Sequence, residues 1–240
     1  MEKRKFSAVV IGVSAGGSKA MQLILPALPA NFPLPIIIIQ HISAQSDGYF
    51  IEHLNSVCEI SVKEAAEKEK AKAGTVYFCP PNYHLLVEED GTFSLSTEGR
   101  VNYARPAIDV LFETAAYAYG HNLIGIILTG ANSDGSQGLK MIKEFGGFTI
   151  VQDPKTAEVD SMPLAAITAS TVDKILPLNK IAGIIFYQVD GIDALFGFFK
   201  YYLVEVGGIK LHFIVQSLLF KQDCHRINLL ARCAPGVPDF

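Results

Sequence analysis

Residues 8–17 read Ala8-Val9-Val10-Ile11-Gly12-Val13-Ser14-Ala15-Gly16-Gly17, and this stretch decides the fold. Ala8 to Ile11 is a continuous apolar run without polar alternation, the pattern of a strand buried on both faces. A glycine-rich turn follows at once, and from Ser18 to Leu28 the apolar spacing becomes helical. A strand, a sharp turn and a helix in that order open an α/β unit. Further out the pattern repeats. Ile36 to Ile39, Thr75 to Phe78, Leu123 to Leu128 and Phe148 to Val151 have strand length, while Asp47 to Val57, Ile108 to Tyr119 and Gly138 to Phe145 carry helical spacing. Strands alternating with helices predict a doubly wound α/β fold, with a mostly parallel sheet and helices on both faces. One stretch differs: Tyr83 to Val87 and Thr92 to Ser96 flank Glu88-Glu89-Asp90-Gly91 and read as an antiparallel hairpin turning at Asp90-Gly91.

The composition bounds the function. The 240 residues allow one large domain or two small ones, and a 50% hydrophobic content excludes a disordered chain. With a net charge of −4 and a pI near 5.9 there is no basic footprint, so no nucleic-acid partner is expected. Cys58, Cys79, Cys224 and Cys233 form no CxxC pair and have no histidine at ligand spacing. Neither a disulfide framework nor a bound metal is expected, and a reducing cytoplasm suits the chain best. The opening Met1 to Gly12 is too short in apolar residues for a signal sequence or a membrane span. The charged run Lys63 to Lys72 reads as a solvated surface segment. From about Tyr187 the texture changes to a strongly apolar stretch reaching Phe220, interrupted by Asp190, Asp193, Lys200, Glu205 and Lys210. The expected division is a main domain over 1–186 and an accessory tail over 187–240 that packs on the domain or on a partner.

Three strand-end loops carry chemistry. Gly12-Val13-Ser14-Ala15-Gly16 matches G-x-S-x-G in the strand–turn–helix setting that projects a serine hydroxyl from the sheet's carboxyl edge. The helix N-terminus behind it suits an oxyanion, but the same turn also suits a bound phosphate, so a nucleotide-binding domain stays open. His41 directly follows the Ile36 to Ile39 strand, where an adjacent parallel strand would bring it near Ser14. His84 opens a hairpin strand and reads as structural; the other histidines read as surface or loop residues. The third loop, Thr129-Gly130-Ala131-Asn132-Ser133-Asp134-Gly135, follows the Leu123 to Leu128 strand. Asp134 there is suited either to orient a histidine or to cap a helix. The chain order Ser, His, Asp differs from the Ser, Asp, His order of α/β-hydrolases.

Taken together, VVIGVSAGG, IIIIQHIS, GTVYFCPPNYHLLVE, RPAIDVLFETAA, GIILTGANSDGSQGLK and DPKTAEVDSMPLAAI resemble the catalytic domain of the chemotaxis-type protein-glutamate methylesterases, over roughly Phe6 to Phe186. The resemblance implies Ser14 as nucleophile, His41 as general base and Asp134 as orienting carboxylate, on a doubly wound α/β fold with an antiparallel hairpin near one edge of a largely parallel sheet. It implies a serine hydrolase of glutamate methyl esters on a receptor-like protein, with glutamine deamidation as a second activity and no cofactor. Backbone N–H groups at Ala15 and Ala131 are the oxyanion candidates. Arg105, ahead of Pro106, is a candidate for shaping the site; the alternative is a surface arginine before a proline at the first helical position.

The chain departs from the family pattern at three places. Ala15 stands where the family usually has Thr, Thr129-Gly130-Ala131-Asn132 replaces Thr-Gly-Met-Gly, and Ser161-Met162-Pro163 replaces Gly-Met-Pro. Ala keeps its backbone donor, so these changes leave an oxyanion hole open. They also leave room for a rival reading, a weakly active or inactive signalling module on the same fold. The receiver domain of the chemotaxis members does not precede the first strand, so the expected regulator is a separate response regulator or kinase.

Overall fold

The computed structural model describes residues 5–41 and 48–190, together with the strand segments 199–206 and 209–216. The chain divides into two compact units, Met1–Gly191 and Ile192–Phe240.

The first unit is built on a seven-stranded sheet. Its strands are β1 (Ala8–Val13), β2 (Ile36–Gln40), β3 (Ser61–Glu64), β4 (Thr75–Phe78), β7 (Leu123–Ile127), β8 (Phe148–Gln152) and β9 (Lys174–Leu176). They lie in the order β3-β4-β2-β1-β7-β8-β9, and every pair is parallel. Each residue of β1, β2 and β7 is buried, as strands covered on both faces require. The hairpin strands β5 (His84–Val87) and β6 (Phe93–Ser96) pair antiparallel as their own two-stranded sheet. They are not part of the main sheet, whose edges are β3 and β9. Backbone bonds from Lys68 N to Phe93 O and from Ala71 N to Gly91 O instead tie the hairpin to the segment leaving β3.

The helices are α1 (Gly17–Ile24), α2 (Tyr49–Val57), α3 (Ile108–Tyr119), α4 (Ser136–Glu144), α5 (Ser161–Ala169) and α6 (Leu178–Asp190). α1 ends where Pro26 enters a 3-10 turn, shortening the expected helix by one turn. α2 begins at Tyr49; the expected start at Asp47 lies outside the described residues. The edge strand β3 overlaps the charged run read as solvated at Lys63 and Glu64. Its burial alternates around the inward Val62, while Lys63 reaches out to pair with Glu69 at 2.8 Å. α6 runs unbroken through Phe186-Tyr187, the expected domain boundary.

The second unit contains an antiparallel pair, β10 (Phe199–Val206) and β11 (Ile209–Gln216), registered from Phe199 opposite Gln216 to Val206 opposite Ile209. The expected apolar tail, Gly191 to Phe220, lies wholly within these two strands or outside the described residues.

The order of the large sheet positions the site. The chain winds outward from β1 through β2 and then returns to β1's other side with β7, so the strand order reverses at β1. Ser14, His41 and Asp134 follow the carboxyl ends of β1, β2 and β7, the edge at which open α/β sheets bind ligands.

Candidate active site

Ser14 leaves β1 on a turn whose next glycine, Gly16, has φ +80°. An L side chain there would be strained, and its Cβ would also stand 2.8 Å from Glu158 Cβ. The turn is held from β7: Ser14 N donates to Thr129 O at 3.0 Å, and Thr129 Oγ1 lies 2.8 Å from Ala15 O. Gly130 must remain a glycine for space, since a Cβ there would be 2.9 Å from Ser14 Cβ and closer still to Met162.

His41 is the first residue after β2, and its own N–H continues the ladder to Val13 O at 3.1 Å. Nδ1 of its ring is 3.1 Å from Ser14 Oγ, and Nε2 is 2.9 Å from Asp134 Oδ2. Asp134 is 1% exposed. Its Oδ2 also accepts from Ile108 N at 2.7 Å, and its Oδ1 accepts from Asp109 N at 3.2 Å and Asn102 Nδ2 at 3.1 Å. Burial pushes this carboxyl's pKa up. The bonds from His41, Ile108, Asn102 and Asp109 outweigh burial and hold it below its ordinary value. An ionised Asp134 can only accept, so Nε2 carries the ring proton and Nδ1 is left to accept from the Ser14 hydroxyl. The nitrogens are used in the reverse sense to the serine-protease template, where Nε2 faces the serine.

Asp134 therefore bonds the histidine ring and caps a helix at once, since Ile108 and Asp109 are the first two residues of α3. The capping is reciprocal. Asp109 Oδ1 accepts from Gly138 N, in the first turn of α4, at 2.7 Å. Neither helix has a side-chain cap from its own N-cap residue, Ala107 or Gly135. Burial, and the charge of Asp134 beside it, raise the Asp109 carboxyl's pKa above its ordinary value against the bonds from Gly138 and Asn102.

The crevice beside Ser14 and His41 has a volume of about 750 Å³. Phe50, Ile51 and Phe78 supply apolar wall, and Gln40, Lys19 and Glu158 supply polar groups. Lys19 Nζ meets Glu158 Oε2 at 2.7 Å. Cys79 also lines the crevice. Burial, with Glu64's charge added, pushes its thiol pKa well above the ordinary value, so it stays protonated and is no rival nucleophile.

The other sequence candidates are placed as follows. Ala15 lines the crevice, and its N–H has no acceptor among the described residues. Ala131 is exposed and is not among the lining residues, while the preceding Gly130 N–H is taken by Val159 O at 3.0 Å. Arg105 Nη1 donates to Thr97 O at 2.7 Å and Glu98 O at 2.9 Å, bracing the chain after the hairpin; it too lies off the crevice. Pro106 precedes the N-cap Ala107 and is not the first helical residue. His84 is structural, with Nδ1 accepting from Ala107 N at 3.2 Å and Nε2 facing Gly99 O at 3.0 Å. Among the described residues no group of three or more His, Cys, Asp or Glu is arranged to hold a metal ion.

The family model described as CheB methylesterase matches residues 9–185, which contain all three members of the Ser14–His41–Asp134 chain. The chain belongs to the CheB methylesterase family. The crystal structure of the Thermotoga maritima CheB methylesterase catalytic domain superposes with a TM-score of 0.72 at 36% identity, covering 75% of this chain and 97% of that one. A Leptospira interrogans protein (serovar copenhageni, strain Fiocruz L1-130), provisionally named protein-glutamate methylesterase/protein-glutamine glutaminase, is 60% identical over 177 residues. That match spans 74% of this chain and 92% of the relative. The Archaeoglobus fulgidus protein-glutamate methylesterase/protein-glutamine glutaminase is 38% identical over 183 residues, spanning 75% of this chain and 52% of its own.

Within this CheB-type site, sequence reasoning passed over Asn102, Thr129 and Gln152. Gln152, fully buried at the end of β8, accepts from Thr129 N at 2.9 Å and donates to Thr156 O at 2.9 Å. A glutamine closing an otherwise apolar strand was the available signal, because a buried amide requires partners. Asn102 carried no such signal.

Proposed function

We propose that the chain is a serine hydrolase that demethylates glutamate γ-methyl esters on a methylated chemoreceptor-like protein and deamidates glutamine by the same route. The observation that carries this reading is the continuous relay from Ser14 Oγ through the His41 ring to the ionised Asp134. His41 Nδ1 takes the Ser14 proton as Oγ attacks the ester carbonyl. Asp134 holds the ring tautomer and stabilises the imidazolium without taking the proton. The oxyanion forms at the Ser14–Gly16 turn, where the Ala15 N–H is the candidate donor. His41 returns the proton to the leaving methoxide, and methanol departs. Water then gives its proton to Nδ1 and attacks the acyl-enzyme, and the collapse frees glutamate and restores the Ser14 hydroxyl.

The site needs no metal or organic cofactor for this chemistry. Ala15 and Ala131 change side chains without removing the relay, which is why the catalytic reading is preferred to the inactive signalling module. Regulation is assigned to a separate response-regulator or kinase partner. The compartment is assigned to the cytoplasm. Among the described residues no helix is long and apolar enough to cross a membrane.

The deciding experiment follows methanol released from a methyl-labelled cognate receptor, comparing the wild type with Ser14→Ala. Release by the wild type alone supports the reading. Equal release from both removes Ser14 from the chemistry.

A further inference from the structure

The loop between the hairpin and α3 places an exposed asparagine against the buried end of the relay. Asn102 Nδ2 lies 3.1 Å from Asp134 Oδ1 and 2.8 Å from Asp109 Oδ2. Both neighbours are carboxylates, so chemistry itself assigns the amide's NH₂, and not its oxygen, to face them. We propose that Asn102 is a positioning residue for the reaction, its NH₂ clamping the Asp134 carboxylate in the rotation that presents Oδ2 to His41. This deepens the hydrolase reading above and rests on it.

The bonding of Asp134 shows why one amide matters. Oδ2 is shared between His41 Nε2 and Ile108 N at 2.9 and 2.7 Å. Oδ1 otherwise has only the longer 3.2 Å bond from Asp109 N. Without Asn102 the carboxylate is held firmly at one oxygen and loosely at the other, and it can turn about its Cβ–Cγ bond. The same amide stands between two neighbouring carboxylates, where its positive edge offsets their repulsion. The charge of Asp134 is among the causes that raise the Asp109 carboxyl.

The backbone supports the assignment. Asn102 has φ 48° and Tyr103 has φ 63°, two successive non-glycine residues in the left-handed region. Asn tolerates that region better than most residues, and conformations of this kind persist where the surroundings over-determine them. Here the surroundings include both carboxylates. Tyr103, at 95% exposure, contributes no packing that would hold the turn.

Two substitutions separate the amide from the backbone. Asn102→Gly keeps the left-handed turn and removes the side chain. Asn102→Asp keeps the shape and the tolerance of positive φ but replaces a donor with a third carboxylate. Two rates are measured, methanol release from the methylated receptor and pseudo-first-order labelling of Ser14 by a small fluorophosphonate, alongside the melting temperature. The expected result is a fall in kcat of about tenfold to a hundredfold for Asn102→Gly, the upper end being what a 1 Å misplacement of a reacting group costs, with KM unchanged. Asn102→Asp should lose at least as much, and labelling should slow in parallel. Unchanged kcat and labelling in both variants overturns the proposal. So does a raised KM at constant kcat, which would make Asn102 a substrate contact. A lower melting temperature with undiminished turnover per folded molecule would make its role structural only and overturns it as well. If the wild type is labelled at Ser14 yet releases no methanol, the methylesterase reading fails, and the labelling rates of the variants judge Asn102 alone. A wild type inert in both assays sinks the two together.

Discussion

Ser14, His41 and Asp134 form one relay, but their structural burdens differ. Ser14 and His41 sit at strand ends and lend little to packing, whereas Asp134 also receives two backbone donors of α3. Ser14→Ala and His41→Ala should each abolish nearly all turnover, and the double variant should be no worse than either, because residues acting as a unit do not add. Measured methanol release from the three variants checks this. Asp134→Asn leaves the base in place and should retain more activity than either. It turns an acceptor into a donor facing donors, however, and should cost about 1–3 kcal/mol of stability that Ser14→Ala does not. Denaturant unfolding of the two variants side by side would reveal the difference. Equal stability would mean that Asp134 is not the cap its geometry describes.

Between elements, the carboxyl edge of the sheet is fastened by polar side chains reaching from loop to loop. Thr129 Oγ1 faces Ala15 O and Val159 O and accepts from Val159 N at 2.9 Å, joining the loops after β1, β7 and β8. Thr129→Val keeps the shape but leaves these backbone groups short of a partner. It should cost about 1–3 kcal/mol and reduce kcat by displacing the Ser14 turn, as read by unfolding and by methanol release. At the other side of the sheet, Asp173 accepts from Lys143 of α4 and from both N and Oγ1 of Thr149 in β8. Burial raises its pKa, but the Lys143 and Thr149 bonds prevail and hold it below the ordinary value. A folded pKa below the unfolded one means that the stabilisation is present above about pH 3.9 and is lost as pH falls through the folded value. The melting temperature should therefore drop steeply below about pH 4, and Asp173→Asn should flatten that acid limb. An acid limb identical in the variant would refute the assignment to Asp173.

At the scale of the whole molecule, the family match and the first compact unit end within a few residues of each other. The family match ends at residue 185, and the compact unit ends at Gly191. Because α6 is continuous to Asp190, a cut after Phe186 would sever a helix, and the cut expected to preserve the fold falls after Gly191. A 1–191 protein should melt cooperatively and keep specific activity within a few-fold of the full chain. Cooperative melting with all activity lost would place part of the site in residues 192–240.

The sequence by itself determined the alternating architecture and the three loops that carry the relay. Strands buried on both faces must be continuous apolar runs, and a side chain one residue beyond such a run must lie at the sheet's edge. That logic located β1, β2, β4, β7 and β8, and with them Ser14, His41 and the loop bearing Asp134. It failed where the physics is not local. β3 was hidden because this edge strand buries only one of its four residues, next to charged ones, and β9 because three residues carry too little pattern. The partners of Asp134 other than His41 were beyond reach for the same reason. Ile108 and Asp109 contribute backbone N–H groups, which every residue has, and Asn102 contributes an amide from 32 positions away. Only the tertiary structure decided that Asp134 meets both the His41 ring and the start of α3, that Nδ1 faces the serine, and that Arg105 Nη1 donates to Thr97 O and Glu98 O. Which donor meets which acceptor depends on where two helices begin relative to one sheet edge, and no single stretch of chain encodes that distance.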